Sequence, residues 1–244
     1  MRLDRELTER GLFPSRAKAV DAISEGRVRV NGQTVVKNAF PVSASDVIDV
    51  DPDPDAYVSR AGLKLAAALD GFSVSPAGKT VLDVGASTGG FTDCLLRRGA
   101  QTVYAVDVGK GQLDPSLRSD PRVVSFEQTN ARYMTADLFP IMPDMAVMDV
   151  SFISQSLIYP ALSALLPQGG LLITLIKPQF EAGPELVGKN GIVRDPDGKK
   201  FKKILDRLRT AAAGEGLRLA QWMDSPILGG DGNREYLALF RKEN

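Results

Sequence analysis

The stretch VLDVGASTGGF, at residues 81–91, constrains the fold more than any other part of the chain. A short apolar run ends in an acid and turns through glycines into a helix. A second run, TVYAVD at residues 102–107, also ends in an acid. This is the opening of a doubly wound α/β domain that holds a nucleoside at its strand tips. The spacing argues against a dinucleotide. Gly-x-Gly-x-x-Gly lets the backbone close on a pyrophosphate, but Ser87 stands where the second glycine would be. Asp83 at the strand end would repel a pyrophosphate and suits a cationic, phosphate-free cofactor such as S-adenosylmethionine. Asp107, about 20 residues on, is placed to accept hydrogen bonds from ribose hydroxyls. The plain alternative is a glycine-rich turn of the kind that follows many parallel strands.

At 244 residues there is room for one core plus a small module. The chain has no histidine and a single cysteine, Cys94. Any general base must therefore be Asp, Glu, Lys, Tyr or Cys. Histidine-based hydrolase and zinc mechanisms are excluded, as is a cysteine-rich metal site, so no metal is expected. A formal net charge of zero does not exclude nucleic acid, because local distribution matters more than the sum. The charged N-terminus does not resemble a signal peptide, and no apolar run is long enough to cross a bilayer. A cytoplasmic protein without membrane partners is expected.

Residues 1–50 read as a separate α+β unit. A first helix runs from Leu3 and ends at Gly11. Ser15 caps a second, which stops at Gly26. RVRV and QTVV flank Asn31-Gly32, a strong hairpin signal, and DVIDV supplies a further strand. Residues 1–45 hold eight Lys/Arg against five Asp/Glu. Arg2, Arg5, Arg16, Lys18, Arg27, Arg29 and Lys37 are candidates for one basic face that grips phosphates without reading bases. A solvated surface of mixed charge is the ordinary alternative. Residues 51–59, opening with DPDPD, form a stiff, solvated linker. Residues 60–244 then form the large domain.

A helix over residues 57–69, capped by Ser59, precedes the first strand of that domain. Strands are expected at 81–84, 102–107, 123–128, 145–149 and 171–175, and helices at 90–98, 156–166 and 199–215. Late strands at 217–223 and 236–240 flank a turn-rich loop. If those two pair, one runs antiparallel to the rest and separates this fold from a dinucleotide-binding one.

Ligands in such sheets bind beyond the carboxyl ends of the parallel strands. Asp149 ends the fourth strand, Lys177 follows the fifth, and Glu235 precedes an antiparallel strand that starts at the same edge. Lys64 lies on the helix before the first strand. A ribose hydroxyl is a weak nucleophile, and its proton must be steered away as it attacks a methyl sulfonium. A lysine near a second ammonium, partly desolvated, suits that task. Each residue also has an ordinary reading as a loop, cap or surface charge. Ser151 to Ser154 and the loop-like stretch Gln179 to Gly191 fall where a target pocket would be shaped, with Lys189 and Arg194 as cations and Phe152 and Phe180 as aromatics. The two cations suit an RNA phosphate, and the two aromatics suit a base turned out of its helix. Inward packing is the ordinary alternative for the phenylalanines. Residues 199–209, KKFKKILDRLR, combine a basic face with an apolar stripe, which fits an RNA contact or a solvated outer helix.

Ser15-Arg16-x-x-Ala19, Ile23-x-x-Gly26-x-Val28-x-Val30-Asn31-Gly32 and Val47-Ile48-x-Val50 resemble the S4 RNA-binding domain. The large domain resembles the FtsJ-type ribose 2'-O-methyltransferases. YVSRAGLKL, LDVGASTGGFTD, DVSFIS, IKPQFE and GKNGIV make the whole chain similar to the bacterial TlyA, or hemolysin-A-like, family of ribosomal RNA methyltransferases. The resemblance implies a Rossmann-like class I methyltransferase domain behind a small S4-like domain. It implies S-adenosylmethionine as cofactor and ribosomal RNA or ribosomal subunits as partner. It places a Lys–Asp–Lys–Glu tetrad on Lys64, Asp149, Lys177 and Glu235. The implied cofactor pocket comprises Gly85, Ala86, Ser87, Thr88, Gly89, Gly90, Phe91, Asp107, Asn130 and Asp149. Two other readings are another structured RNA as substrate, and a non-catalytic RNA-binding or assembly protein.

Overall fold

The computed structural model describes residues 1–13, 15–51, 57–182, 188, 191–195, 197–229 and 232–243. The chain divides into two compact units, Met1–Ala56 and Tyr57–Asn244.

In the first unit, α1 (Leu3–Glu9) and α2 (Arg16–Ser24) pack on a small sheet of β1 (Val28–Val30), β2 (Gln33–Thr34) and β3 (Ile48–Val50). The order is β2-β1-β3, antiparallel throughout. The end signals act as expected. Ser15 accepts from the Lys18 amide at 3.4 Å. Gly11 and Gly26, both at positive φ, end the helices. Asn31 and Gly32, at φ +51° and +79°, turn the hairpin between Val30 and Gln33. The Asn31 side chain also bonds Asp46 and the Val47 amide, each at 2.9 Å, which docks the approach to β3. Leu3, Leu7, Ile23 and Val28 are fully buried, each worth about 2 kcal/mol. The second hairpin strand is shorter than its apolar run, ending at Thr34.

The second unit opens with α3 (Ala61–Gly71). Its sheet comprises β4 (Thr80–Val84), β5 (Thr102–Val106), β6 (Val123–Phe126), β7 (Met145–Met148), β8 (Leu171–Ile176), β9 (Leu217–Asp224) and β10 (Tyr236–Lys242). Their order is β6-β5-β4-β7-β8-β10-β9. β4 pairs in parallel with both β5 and β7, so the strand order reverses beside it and a crevice opens at its carboxyl end. β10 runs antiparallel between β8 and β9, the insertion anticipated from the late strands.

Both faces of this sheet are covered, which is why its central strands read as near-continuous apolar runs. On one face α3 and α4 (Gly90–Arg97) bury Leu65, Leu69, Phe91 and Leu95 against Val81 and Val103. On the other, α6 (Tyr159–Leu165) and α8 (Lys199–Gly214) bury Tyr159, Leu162, Phe201 and Leu208 against Leu82, Tyr104 and Met148. Two four-residue helices, α5 (Pro115–Arg118) and α7 (Pro178–Glu181), escaped the sequence reading because each is a single turn started by proline. The expected helix at 156–166 is a 3-10 turn, Gln155–Leu157, followed by α6. Ser59 does not cap α3: the helix starts after Arg60, with no side-chain cap. Of the expected linker, Asp51 pairs with Arg29 at 2.5 Å, and residues 52–56 lie outside the described residues.

Candidate active site

The turn after β4 is shaped by close backbone approaches. Gly85 has φ +82°, and a Cβ there would lie 2.3 Å from the Asp149 carbonyl oxygen. Only glycine brings the tips of β4 and β7 this close. Gly89, at φ +98°, lies against Leu113 and Leu117, so its role is packing. Asp107 organises the same turn. Its carboxylate accepts the Ser87 amide at 2.8 Å and the Gly109 amide at 2.7 Å. With about four acceptor sites, it retains capacity for ribose hydroxyls.

A cavity of about 370 Å³ opens here, between the tips of β4, β5 and β7. Gly85, Ser87, Asp107, Asn130 and Asp149 line it, with apolar walls from Val108, Val150, Ile153 and Ile158. Among the described residues no Lys or Arg lines it, so a pyrophosphate would find two carboxylates and no cation there. A nucleoside carrying positive charge fits this donor set. A smaller recess of about 170 Å³ adjoins it and shares Gly85, Ser87, Asp149 and Ser151. Ser59, Ala61, Ala86, Thr88, Gly90, Phe91 and Lys177 complete its lining. Ser59 is the residue most misread from sequence. Its hydroxyl fills the space beside Gly90, where a Cβ would come within 2.2 Å of it. No local pattern announces this, because α3 and α4 meet only in the folded unit.

Asp83 departs from expectation. It is fully buried and lines neither cavity. One oxygen accepts from the Thr92 hydroxyl at 2.6 Å, while Oδ1 has no hydrogen-bond partner among the described residues. Burial, reinforced by the charges of Asp149 and Asp107, pushes its carboxyl up to about 7. It lies behind Val84, which lines the larger cavity, and is coupled to Asp149 and Asp107 by charge rather than by contact.

The four expected catalytic side chains resolve into two ion pairs. Lys177 Nζ lies 2.6 Å from Asp149 Oδ1 and donates to the Ser151 hydroxyl at 2.8 Å. This pair lines the recess. Lys64 Nζ lies 2.5 Å from Glu235 Oε2, and both side chains are buried. Tyr236 pairs with Ile176 across β10 and β8, which sets Glu235 and Lys177 at the adjoining ends of neighbouring strands.

A buried polar network supports the wall of the cavity. Glu181 accepts from the Ser154 hydroxyl at 2.7 Å and the Gln155 amide at 2.9 Å. Gln155 in turn bonds the Leu175 carbonyl and the Thr174 hydroxyl at 2.6 and 2.7 Å. Burial pushes the Glu181 carboxyl above its ordinary range. The network joins the loop that carries Phe152 to α7, which carries Phe180. Those rings stand 4.8 Å apart. Phe152 is 90% exposed at φ +63°, an unusual backbone for an aromatic residue. It lines the larger cavity and does not pack inward. Arg194 is exposed, and Lys189 lies outside the described residues.

In the first unit the basic residues are tied to acids more than the sequence suggests. Buried Asp4 takes Arg2 at 3.0 Å and Arg16 at 2.8 Å, which sets two guanidiniums side by side. Arg5 pairs with Glu9, Arg27 with Glu25 and Arg29 with Asp51. Lys37 is exposed and Lys18 half-buried. Among the described residues, no group of three or more acidic or cysteine side chains is placed to hold a metal ion, and no helix is long and apolar enough to cross a membrane.

Comparison with known proteins agrees with this geometry. Residues 57–242 match the FtsJ-like methyltransferase model, and residues 1–48 match the S4 domain. The chain is 43% identical over 243 residues to the 16S/23S rRNA (cytidine-2'-O)-methyltransferase TlyA of Mycobacterium tuberculosis, covering 99% of this chain and 90% of that protein. It is 45% identical to Hemolysin A of Brachyspira hyodysenteriae, covering 98% and 99%. A solved structure of a candidate hemolysin from Streptococcus thermophilus superimposes with a TM-score of 0.77 at 42% identity, over 100% of this chain and 89% of that one. The N-methyltransferase NodS of Bradyrhizobium japonicum shares the fold alone, at 16% identity and a TM-score of 0.50, over 74% of this chain and 92% of that one. A nucleoside cavity at the strand switch, an antiparallel strand set into a parallel sheet, and these two matched domains make this chain an S-adenosylmethionine-dependent methyltransferase of the TlyA-like family.

Proposed function

We propose that this chain transfers a methyl group to a ribose 2'-hydroxyl of ribosomal RNA. The observation that carries the reading is the Lys177–Asp149 pair set in the wall of the recess next to the nucleoside cavity. S-adenosylmethionine, when bound, supplies an electrophilic methyl group on a positively charged sulfur. Asp107 and Asn130 would hold its nucleoside, and Asp149 would favour its charge. Lys177, fixed by Asp149 and Ser151, would orient the ribose hydroxyl. In its neutral form, after releasing its ammonium proton to solvent, it would receive the hydroxyl proton as the oxygen–methyl bond forms and the methyl–sulfur bond breaks, the demethylated cofactor leaving as a neutral thioether. The exposed Phe152 and the neighbouring Phe180 would stack on a base turned out of its helix. The S4 match and the paired arginines of the first unit support RNA capture through phosphates. Relatives from M. tuberculosis and Campylobacter jejuni carry rRNA (cytidine-2'-O)-methyltransferase in their names.

The test is ribose-methylation mapping of total RNA made with and without the protein. An alkali-resistant linkage at a ribosomal RNA nucleotide, present only with the protein, is the expected result. A methyl group on a base, or ribose methylation confined to transfer RNA, would refute the reading.

A further inference from the structure

We propose that the outer face of α8 is a phosphate-binding rail that seats the RNA substrate at the rim of the active site. The inference rests on the RNA reading above and assigns a second contact surface, on the methyltransferase domain itself.

The apolar stripe of α8, Phe201, Ile204, Leu205, Leu208 and Ala212, is buried against the sheet. Asp195 caps its start, accepting the Lys200 and Phe201 amides at 3.1 and 2.7 Å. The Phe201 ring stacks on Tyr236 with centroids 3.4 Å apart. Tyr236 directly follows Glu235, so the first turns of α8 are anchored at the edge of the sheet where the two lysine–carboxylate pairs sit. Further along, Arg207 donates to the Glu181 carbonyl, and Glu181 closes the network behind Phe180 and Phe152. The helix is thus tied both to the sheet edge at Tyr236 and to the network behind Phe152.

Its remaining face is cationic and open. Lys199, Lys202, Lys203, Arg207 and Arg209 are all exposed. Lys199, Lys203 and Arg207 follow at four-residue intervals, a stripe with one charge about every 6 Å along the axis. That interval matches the reach between successive phosphates of a strand. Two acids temper the face: Asp197 pairs with Lys199 at 2.8 Å, and Asp206 with Arg209 at 3.3 Å. Lys202 and Lys203 have no acidic partner among the described residues. In a chain of zero net charge, a cationic stripe fixed beside the reaction edge is a local choice, and an RNA backbone is the partner that matches its charge and spacing.

The experiment compares full-length wild type with Lys199→Gln/Lys202→Gln/Lys203→Gln. A control variant removes three charges at the opposite sheet edge: Lys79→Gln/Arg218→Gln/Arg241→Gln. Binding to purified ribosomal RNA is measured across a salt series, with methyl transfer and cofactor affinity alongside. The α8 variant is expected to bind RNA roughly 10-fold more weakly. Its salt slope should fall by about 2 to 3, since each lost phosphate contact removes roughly 0.7 to 0.9. KM for RNA should rise with kcat and cofactor affinity unchanged. Lys202→Arg/Lys203→Arg, which keeps the charge, should behave as wild type. An unchanged slope in the α8 variant, or an equal loss in the control, overturns the rail while leaving the RNA reading in place. Failure of the wild type to bind ribosomal RNA in a salt-dependent way overturns both.

Discussion

Two lysine–carboxylate pairs of the same chemistry stand at neighbouring strand ends and differ in their access to water and ligand. Lys177–Asp149 lines the recess, and a third group, Ser151, holds the lysine from the other side. Lys64–Glu235 is buried and lines neither cavity. A charge in a cavity wall can meet a substrate and exchange a proton. A buried pair is held by its own Coulombic attraction against a desolvation cost of several kcal/mol per ion. On the function proposed above, the first pair would carry the chemistry and the second would support the strand ends.

The sharpest way to break this comparison is Lys177→Ala. The side chain is in the cavity wall and not in the core, so its loss leaves no packing void. The variant should fold and bind cofactor while methyl transfer falls about 1,000-fold or more, the range of a lost acid–base group. Single-turnover methylation at saturating cofactor reads this, and near-wild-type turnover would shift the chemistry to Lys64. Lys177→Arg should fail as well, since a guanidinium keeps its proton.

Lys64→Ala should act first on stability. It leaves Glu235 buried without its cation, a loss of about 3 to 5 kcal/mol. Denaturant unfolding should show this, whereas Lys64→Met/Glu235→Leu should recover most of it. A double variant as unstable as the single one would show that the pair's surroundings, not its charge balance, set the cost.

Asp83 extends the comparison to a buried carboxylate without a cation. Its folded-state value, about 7, lies above the ordinary carboxylate range, so the native state keeps its proton longer than the unfolded chain. The associated stability is full below about pH 4 and is lost as pH rises towards 7. Asp83→Asn keeps an acceptor for Thr92 and removes the titration. The melting temperature of wild type relative to this variant should therefore drop by a few degrees between pH 5 and pH 8. Parallel melting curves across that range would contradict the burial cost assigned here.

The smallest effect is expected at Phe152→Ala. The ring is exposed, so stability should hardly change. RNA affinity should weaken about 10-fold, in keeping with about 1 to 3 kcal/mol for one stacked base. A loss of cofactor affinity instead would make the ring part of the nucleoside wall.

Much of the frame was legible along the chain because it is written in local physics. Gly11, Gly26 and the Asn31-Gly32 turn announce positive φ, Ser15 announces a cap, and apolar runs bounded by turns mark the strands. The cavity acids were legible because strand ends in a parallel sheet converge on one edge. Ser59 was not, since a serine ahead of a helix looks like a cap wherever it points. Nor were α5 and α7, whose single turns carry no periodicity.

The sequence by itself determined the alternation of strands and helices, the two-part organisation of its motifs, and which residues could carry the chemistry. Caps, turns and hydrophobic periods act over a few residues and need no partner. The tertiary structure alone decided that the four candidate residues form two pairs, one open and one buried, and that Asp83 is buried and lines neither cavity. Burial and ion pairing depend on which strands become neighbours. The placement of β10 between β8 and β9 brings Glu235, 171 positions after Lys64, within reach of its ammonium.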